Sequence, residues 1–486
     1  MDFPLFHADL IGNRAIIAVV ATLHVLINHG LAVGMVPLVA TIEWHGQRTG
    51  DKRWDDLAYK IMLVSFIITT TIGALTGVGI WLCASLINPY AIGSLIRVFF
   101  WAWFTEWLVF ISEVSLIVVY FLTWRKWMTP ALKRRHIRFG FAVGGFSWVT
   151  MAIIVAILAF MMDPGSWLTE RTLFSGVTNP IYLPQLAFRT PLALSMAGIV
   201  AAFLTACFTR RDRAFQQEAL RAVNLWPLFW VPLTLAGGWW YASVIPEAMQ
   251  ANVGTALLTM EFEQWQTQLL EGVVATALIL YLISQLGVLR PRWVPRIAYF
   301  AALLAVIGLT GQFERVREFI RKPFVIGQYM YANGIRVGDY PLLKRDGLLR
   351  HSTYVYPLTE NELSGVLPDR LDRLADGKTV FMVACSRCHT SNGVNSVVAR
   401  FEAMFEGTWE PKLLADYITN MHDVRPYMPP FPGNDAELLA LSDYLIQLRT
   451  TRQPVEGAQE VGVAINPRAV DPARSAQALL SERGQR

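Results

Sequence analysis

Long apolar segments fill the first two-thirds of the chain. Each is long enough, at about 18 residues or more, to cross a bilayer as a helix. Eight such segments are present, at about 15–42, 60–87, 92–123, 139–162, 191–209, 225–245, 268–288 and 297–320. The pattern predicts an all-α fold, with a polytopic bundle of about eight transmembrane helices followed by a more polar C-terminal part.

The loops between these segments alternate in charge. Every second loop is rich in Lys and Arg, namely 43–60, 124–138, 210–224 and 289–296. Such basic loops stay in the cytoplasm, and an even number of spans then leaves both termini on the other side. The pattern predicts a multi-pass protein of the bacterial inner (cytoplasmic) membrane with both termini in the periplasm.

Composition supports a membrane protein. Of 486 residues, 54% are hydrophobic and 16% are charged, against roughly a quarter charged in soluble chains. The net charge of +5 is modest and gives no indication of nucleic-acid binding. Of the four cysteines, Cys83 and Cys207 lie inside apolar segments, so we expect buried thiols there rather than a disulfide.

The other two cysteines carry the clearest chemical motif, Cys385-Ser386-Arg387-Cys388-His389. Two thiols three residues apart and followed by an imidazole are the attachment signature of c-type haem. One turn presents both sulfurs to the two vinyl groups of a porphyrin, and the histidine ligates the iron. A zinc or redox dithiol is the alternative. The motif predicts one covalent haem c on Cys385 and Cys388, with His389 as an axial iron ligand.

The second axial ligand is predicted from a later loop, Tyr427-Met428-Pro429-Pro430-Phe431. Met428 is our candidate, with Met421 and His422 as rivals. A helix is expected to lead into the motif through 376–381, and the apolar spacing over 436–448 predicts a closing helix. From about 360 to 450 this layout resembles class I cytochrome c, whose haem is attached on the periplasmic side.

These patterns divide the chain into four predicted parts. A membrane domain is expected over 1–321 and a polar periplasmic linker with several tyrosines over 322–359. The cytochrome c domain follows at 360–450. The Pro/Ala/Ser-rich segment 451–486 is predicted to be a disordered tail, or a segment that a partner orders.

Ionisable residues inside the spans are functional candidates, because burying them in lipid is costly. His24 lies in the first span, and Glu106 and Glu113 lie two turns apart on one face of the third. These three groups could converge on a haem iron or a proton path, or form a hydrogen-bonded network between helices. Glu106 and Glu113 are therefore the catalytic candidates. At the end of the eighth span, Glu314 and its charged neighbours suit either ion pairs or contacts with a quinone headgroup.

The membrane part resembles subunit I of cytochrome bd-type quinol oxidases over residues 10–330. The resemblance implies that His24 is a haem ligand, with a b-type haem between it and Glu106 or Glu113. The matching positions are Arg14 and His24, Gly73 to Gly77, Glu106 and Glu113 followed by Trp124-Arg125, Met161 to Gly165, Asn179-Pro180, and Arg321 to Gly327.

The chain also departs from that family. Arg189 lies where the family has a histidine that ligates a low-spin haem, and no methionine in the seventh helix matches its partner ligand. The family's acid near Gly311 and Gln312 is missing, and its long quinol-binding loop is reduced to about 246–267. The cytochrome c domain replaces the ninth helix. The resemblance therefore implies the scaffold with much of the oxygen-reducing machinery absent.

The leading functional hypothesis is a membrane-bound cytochrome c subunit of a respiratory electron-transfer complex. It would pass electrons between the quinone pool and a periplasmic cytochrome or other redox protein. One alternative is a bd-like terminal oxidase fed by cytochrome c, and another is a non-catalytic anchor that presents the cytochrome to a larger complex. The predicted cofactors are haem c and, as candidates, haem b and quinone. Predicted partners also include membrane lipid and other subunits, and exclude nucleic acid.

Overall fold

The structure is a computed structural model that describes residues 6–258, 266–351, 370–405 and 407–451. The segment 360–369, where the cytochrome domain is predicted to begin, lies outside these residues. So does the predicted tail beyond Thr451.

The eight predicted spans are confirmed. Among the described residues, eight helical stretches are long and apolar enough to cross a membrane. They run over Asn13–Thr49, Lys52–Ile87, Phe100–Thr123, Pro130–Met162, Tyr182–Phe208, Arg213–Ser243, Glu271–Leu289 and Arg296–Ile320.

Fourteen α-helices of the described residues build this membrane part. They are α1 Asn13–Ile27, α2 Met35–Thr49, α3 Lys52–Ile68, α4 Ala74–Ile87, α5 Pro89–Val98, α6 Phe100–Thr123, α7 Pro130–Met162, α8 Trp167–Glu170, α9 Leu173–Val177, α10 Tyr182–Phe208, α11 Arg213–Ser243, α12 Glu247–Leu258, α13 Gln266–Leu289 and α14 Arg296–Ile320. A 3₁₀ turn at Pro291–Trp293 precedes α14.

Several span boundaries differ from the prediction. The first span ends at Thr49 instead of 42, and the second, fourth and sixth begin earlier, at Lys52, Pro130 and Arg213, because their helices extend into the basic loops.

Two other boundaries have a separate cause. The third span, predicted to begin at 92, begins at Phe100, because the chain bends at Phe99 after the short helix α5. The fifth, predicted to begin at 191, begins at Tyr182. Its first turns contain Gln185 and Arg189, polar residues that resemble a loop in sequence but are fully buried in the structure.

The first and second spans each contain a π-helical turn, at Asn28–Val33 and Thr69–Gly73. A π turn inserts one extra residue into the helix and is frequent at functional sites. The two turns pack against each other. They therefore place an irregular backbone in both spans at the same position in the bundle.

Three of the four basic loops lie at one end of the bundle. Gly50, with φ of 74°, ends α2, and the Asp51 side chain caps the start of α3. Arg53 then pairs with Asp212 of the third basic loop at 2.9 Å. Gln47 donates a hydrogen bond to the Pro130 carbonyl beside the second basic loop at 3.2 Å. These contacts agree with the alternating topology that the loop charges predict.

The chain continues from α14 through a small two-stranded antiparallel sheet into the C-terminal domain. Its elements are β1 Phe324–Ile326, β2 Met330–Tyr331, a 3₁₀ turn at Val337–Asp339, α15 Tyr340–Asp346, α16 Leu348–His351, α17 Arg370–Ala384, α18 Val397–Glu402, α19 Pro411–Val424 and α20 Asp435–Thr451. The expected helices before the motif and at the end of the domain are thus present as α17 and α20.

The helices α17 and α20 pack together around an apolar core that includes Phe381, Leu414 and Leu441. Tyr340 and Leu348, from the segment predicted as a linker, belong to the same core. Two backbone amides of α16 also donate hydrogen bonds to Glu437 of α20. The segment before the domain is therefore folded onto it.

The C-terminal domain contacts the end of the bundle opposite the basic loops. There α1 begins and α14 ends, and the ring of Phe319 lies 5.6 Å from that of Tyr427. The chain before α1 also touches the domain, since the amide of Val394 donates to the Leu10 carbonyl at 2.9 Å. The domain is thus held by both the beginning and the end of the membrane part.

Candidate haem c site and buried polar clusters

The predicted haem-attachment motif forms a tight turn at the end of α17. The amides of Cys388 and His389 donate hydrogen bonds to the carbonyl of Cys385 at 3.1 and 3.0 Å. Both cysteines are unbridged and half-buried, and burial raises the pKa of Cys385 to about 12. The turn therefore presents two thiols side by side, followed at once by the histidine.

The His389 imidazole is held in one orientation. Its Nδ1 lies 3.3 Å from the carbonyl of Asn395, while the Asn395 amide donates to the Cys388 carbonyl at 2.7 Å. A carbonyl only accepts, so Nδ1 carries the proton and the lone pair lies on Nε2. Burial lowers the pKa of His389 to about 4. The ring is therefore neutral at pH 7, the form that binds iron.

Met428 lies on the loop between α19 and α20. The carbonyl of Met428 is 2.5 Å from Nδ1 of His422, and its amide donates to the Arg425 carbonyl at 2.8 Å. His422 thus holds the loop through its backbone, whereas Met421 lies within α19. Of the three residues considered as distal ligand, Met428 is the one on the restrained, proline-flanked loop.

These donors suit a covalent haem better than a bare metal ion. In the described part of the chain, no group of three or more His, Cys, Asp and Glu side chains is placed to hold a metal. The described residues therefore provide no set of ligands for a zinc ion. Two thiols, one neutral imidazole and a thioether on a restrained loop are the donor set of a c-type haem.

In the membrane part, His24 and Glu113 line one cavity beside the two π turns. His24 Nδ1 lies 3.2 Å from the Gly73 carbonyl and 3.3 Å from Thr76 Oγ1. The cavity measures about 30 Å³, which is room for about one water molecule. An imidazole and a carboxylate suit an iron ion, but this volume does not admit a porphyrin. A haem-ligand role for His24 stays a prediction.

The two acids of α6 have different surroundings. Glu113 is buried beside Ser147 and Thr150 of α7. Glu106 is also buried, two turns earlier on the helix, but it does not line the cavity of His24. The structure therefore brings His24 together with Glu113 and not with Glu106.

A buried ion-pair chain surrounds Arg189, whose side chain is fully enclosed. Its guanidinium pairs with Glu314 at 2.7 Å and lies 3.3 Å from Nε2 of His29. Arg317 also pairs with Glu314, at 2.9 Å. Of the two roles left open for Glu314, the structure shows ion pairing. A charge pair thus occupies the position where the family resemblance implied a haem-ligating histidine.

A second buried cluster lies near the basic loops, and the sequence did not predict it. The Glu43 carboxylate is fully buried and accepts from Tyr120 at 2.8 Å and from His136 Nδ1 at 2.6 Å. Lys133 pairs with Glu43 at 2.6 Å and also contacts Asp55. Glu43 follows the first apolar segment directly and so looks like a loop residue. The sign of this cluster in the sequence is that Lys133 and His136, which can pair with a carboxylate, lie at the start of the fourth helix.

Comparison with known proteins identifies the C-terminal part. The family model described as "Cytochrome C oxidase, cbb3-type, subunit III" matches residues 372–445, which include the motif and the Met428 loop. The C-terminal domain is a c-type cytochrome. Haem c is the cofactor of that class, and this cytochrome domain is carried by a multi-pass membrane bundle.

The membrane bundle has a known fold. The solved structure of a bd oxidase from Geobacillus thermodenitrificans superposes with a TM-score of 0.53 and 17% sequence identity. The match covers 65% of this chain and 89% of that one. At this identity the likeness establishes a shared fold. No curated protein sequence is significantly similar to the chain.

Proposed function

We propose that the protein is a membrane-bound cytochrome c subunit of a respiratory complex, which passes electrons between the quinone pool and a periplasmic redox protein. The observation that carries the proposal is the direct contact between a cytochrome c domain and the end of a bd-oxidase-like bundle. Among the described residues, the basic loops that contact one another lie at the opposite end, which supports a periplasmic domain.

Within this proposal, Cys385 and Cys388 form the thioether bonds of haem c, and His389 and Met428 ligate its iron. The bound haem supplies a one-electron Fe(III)/Fe(II) couple. The carbonyl of Asn395 orients His389, and His422 restrains the Met428 loop. These contacts would restrain both ligand residues, and a small change of geometry between the two redox states would favour fast electron transfer.

The packing of the Tyr427 ring, next to Met428, supports electron transfer toward the membrane part. Tyr427 packs on Phe319 at the end of α14, and both belong to a cluster with Tyr241 and Met162 inside the bundle. The predicted distal side of the haem therefore meets the membrane part through closely packed side chains.

A groove at the same end of the bundle suits a quinone. It measures about 240 Å³, lies between α6 and α7, and is lined mainly by apolar side chains with the polar groups of Thr105 and Tyr182. Quinones need an apolar channel for the tail and a few hydrogen-bonding groups for the ring. The Asn88 amide, just before α5, donates to the Ala332 carbonyl at the domain junction. This bond links the segment just before the groove helices to the chain that leads into the cytochrome domain.

The test is anaerobic reduction of the purified protein by a quinol. We expect the haem c absorbance to become that of the reduced form, and an oxidised soluble cytochrome c then to restore the oxidised spectrum. Tyr182→Phe should slow reduction by quinol and leave reduction by dithionite unchanged. A haem c that quinol never reduces would contradict the proposal and leave the anchor function.

The oxidase alternative rests on the shared bd-type fold and on the cavity that joins His24 and Glu113. Pyridine haemochrome analysis separates the candidates. Haem c alone favours the anchor, c with b favours the transfer subunit, and a haem d band with oxygen consumption favours the oxidase.

A further inference from the structure

The segment before α1, residues 6–12, is folded onto the first turn of that helix. The side chain of Asn13 is buried; it accepts a hydrogen bond from the Ala8 amide at 2.9 Å and donates one to the Phe6 carbonyl at 2.8 Å. The Gly12 amide donates to the Ala8 carbonyl at 2.8 Å. The segment is therefore a fixed extension of the first membrane span.

This segment makes two hydrogen bonds to the loop that follows the haem motif. The Asp9 carboxylate accepts from the Ser391 amide at 2.5 Å, and the Leu10 carbonyl accepts from the Val394 amide at 2.9 Å. Between them, a Cβ atom on Gly393 would overlap the carbonyl oxygens of Asp9 and Leu10. Two backbone amides of the loop therefore have their acceptors in the chain that begins the membrane part.

The loop leads directly to Asn395, whose carbonyl lies 3.3 Å from Nδ1 of His389. Asn395 has a φ of 59°, a left-handed conformation that costs free energy and persists where surrounding contacts impose it. Its side chain donates to the Cys388 carbonyl at 2.7 Å. On its other side, the amide of the preceding residue, Val394, is held by Leu10. The contact with the segment before α1 thus lies one residue from the carbonyl that orients His389.

We propose that the segment before α1 positions His389: it fixes the loop, keeps the Asn395 carbonyl at Nδ1, and thereby sets the reduction potential of haem c. The inference rests on the proposed haem at Cys385 and Cys388, with His389 as an axial ligand. A hydrogen bond from Nδ1 to a carbonyl makes the imidazole a stronger ligand, and such bonds are one means by which a protein sets a haem potential. The first membrane span thus acts on the haem through its ligand.

The test is a spectroelectrochemical titration of haem c in the purified full chain. A stronger imidazole ligand stabilises Fe(III) and lowers the potential, so a loosened segment should raise it. Asn13→Ala releases the segment from α1 without changing any charge. We expect it to raise the Fe(II)/Fe(III) ratio at a fixed applied potential about threefold, or about 30 mV for one electron. Gly393→Ala should shift the potential in the same direction.

The charge of Asp9 needs a separate control, because removing any nearby negative charge also raises the potential. Asp9→Asn removes the charge and keeps an oxygen that can accept from Ser391, whereas Asp9→Ala removes both. The difference between these two variants measures the positioning effect. Gly338→Ala is the control for Gly393→Ala, since a Cβ atom there would meet no atom within 4 Å, and it should leave the potential unchanged.

Electron paramagnetic resonance of the oxidised protein gives a second readout. The g values of low-spin Fe(III) depend on the orientation and the ligand strength of the His389 imidazole, so Asp9→Ala and Asn13→Ala should change them. A segment that only stabilises the fold would lower the melting temperature in these variants and leave both the g values and the potential unchanged. If Gly393→Ala takes up no haem, the Asn13 and Asp9 variants still provide the measurement.

The proposal is overturned if Asn13→Ala and Asp9→Ala both keep the wild-type potential, since a shift in Gly393→Ala alone would be a distortion within the loop. It is also overturned if Asp9→Asn raises the potential as far as Asp9→Ala, because charge alone would then explain the effect. The titration needs neither quinol nor a redox partner. The expected shifts together with no reduction by quinol would therefore contradict the proposed function and leave this inference intact.

Discussion

At the scale of single residues, the haem-attachment motif makes the simplest prediction. The variant with both Cys385→Ala and Cys388→Ala should lose covalent haem entirely, because each thioether bond needs one of these sulfurs. Haem staining of the denatured protein on a gel measures this directly. Replacing Cys83 and Cys207 instead should leave the stain undiminished. A stained double variant of the motif cysteines would refute the central assignment.

Met428 is the second residue with a specific spectroscopic expectation. Met428→Ala should retain the haem but lose the charge-transfer band of the Met–iron bond. Its reduction potential should fall, because thioether ligation raises the potential. Met421→Ala is the matched control and should keep the band. The opposite pattern would move the ligand to Met421.

His24 tests the membrane half of the molecule. If His24 ligates a b-type haem, His24→Ala should lose b-type absorbance and keep the c-type signal. If it only bonds to Gly73 and Thr76, the variant should be less stable by about 1–3 kcal/mol with an unchanged spectrum. Thermal unfolding in detergent and an absorbance spectrum distinguish the two. A wild-type protein with only c-type haem would remove the ligand role.

Arg189 tests the cost of leaving one member of a buried ion pair without its partner. Arg189→Leu should destabilise the bundle by about 3–5 kcal/mol, because Glu314 is left buried without its closest cation. The double variant with Glu314→Leu should recover much of that loss. Thermal unfolding of both variants measures the difference. Equal destabilisation by the single and double changes would show that the pair contributes little.

At the scale of elements, the spans can be predicted from the sequence, because long runs of apolar residues are stable in the bilayer core and not in water. The chain positions of all eight and the two helices flanking the haem loop could be predicted in this way. The start of α10 could not, because Arg189 and Gln185 look like loop residues until Glu314 is found beside Arg189. The π turns leave no pattern of their own. Neither does the small sheet after α14.

The residues of the candidate site also fall into those that the sequence predicts and those that it does not. Cys385, Cys388 and His389 are adjacent in sequence, so spacing alone predicts them, whereas Met428 is predicted from its proline-flanked loop. The Arg189–Glu314 and Glu43–Lys133 pairs join different spans, and a single sequence contains no record of which spans are neighbours.

At the scale of the whole molecule, the segment before α1 lies across the loop that follows the haem motif. The amide of Ser391 donates to the Asp9 carboxylate at 2.5 Å, and His7 packs edge-on against Phe381 at 6.0 Å. Gly393 approaches the carbonyls of Asp9 and Leu10 so closely that no side chain would fit. This contact fixes the cytochrome against the bundle from a second side.

Asp9 gives this contact a pH dependence. Burial alone would raise the pKa of Asp9, but hydrogen bonds from Ser391 and His7 hold it below its usual value. The contact is therefore complete at neutral pH and is lost as the pH falls through the lowered pKa. Asp9→Ala should destabilise the domain by about 1 kcal/mol at pH 7, and less in acid. Thermal unfolding followed at the Soret band measures this, with exposed Asp416→Ala as control. A loss that persists unchanged in acid would contradict the role of the carboxylate.

The contact between the first residues and the loop at 390–394 also constrains how the protein is made. The loop begins directly after His389, and the enzyme that joins haem to both cysteines needs free access to that turn. Residues 7–10 are synthesised long before the motif, and we expect them to settle on the loop only after haem attachment. Limited proteolysis would test this, since the segment before α1 should then be cut more readily in the apoprotein than in the haem-bound protein.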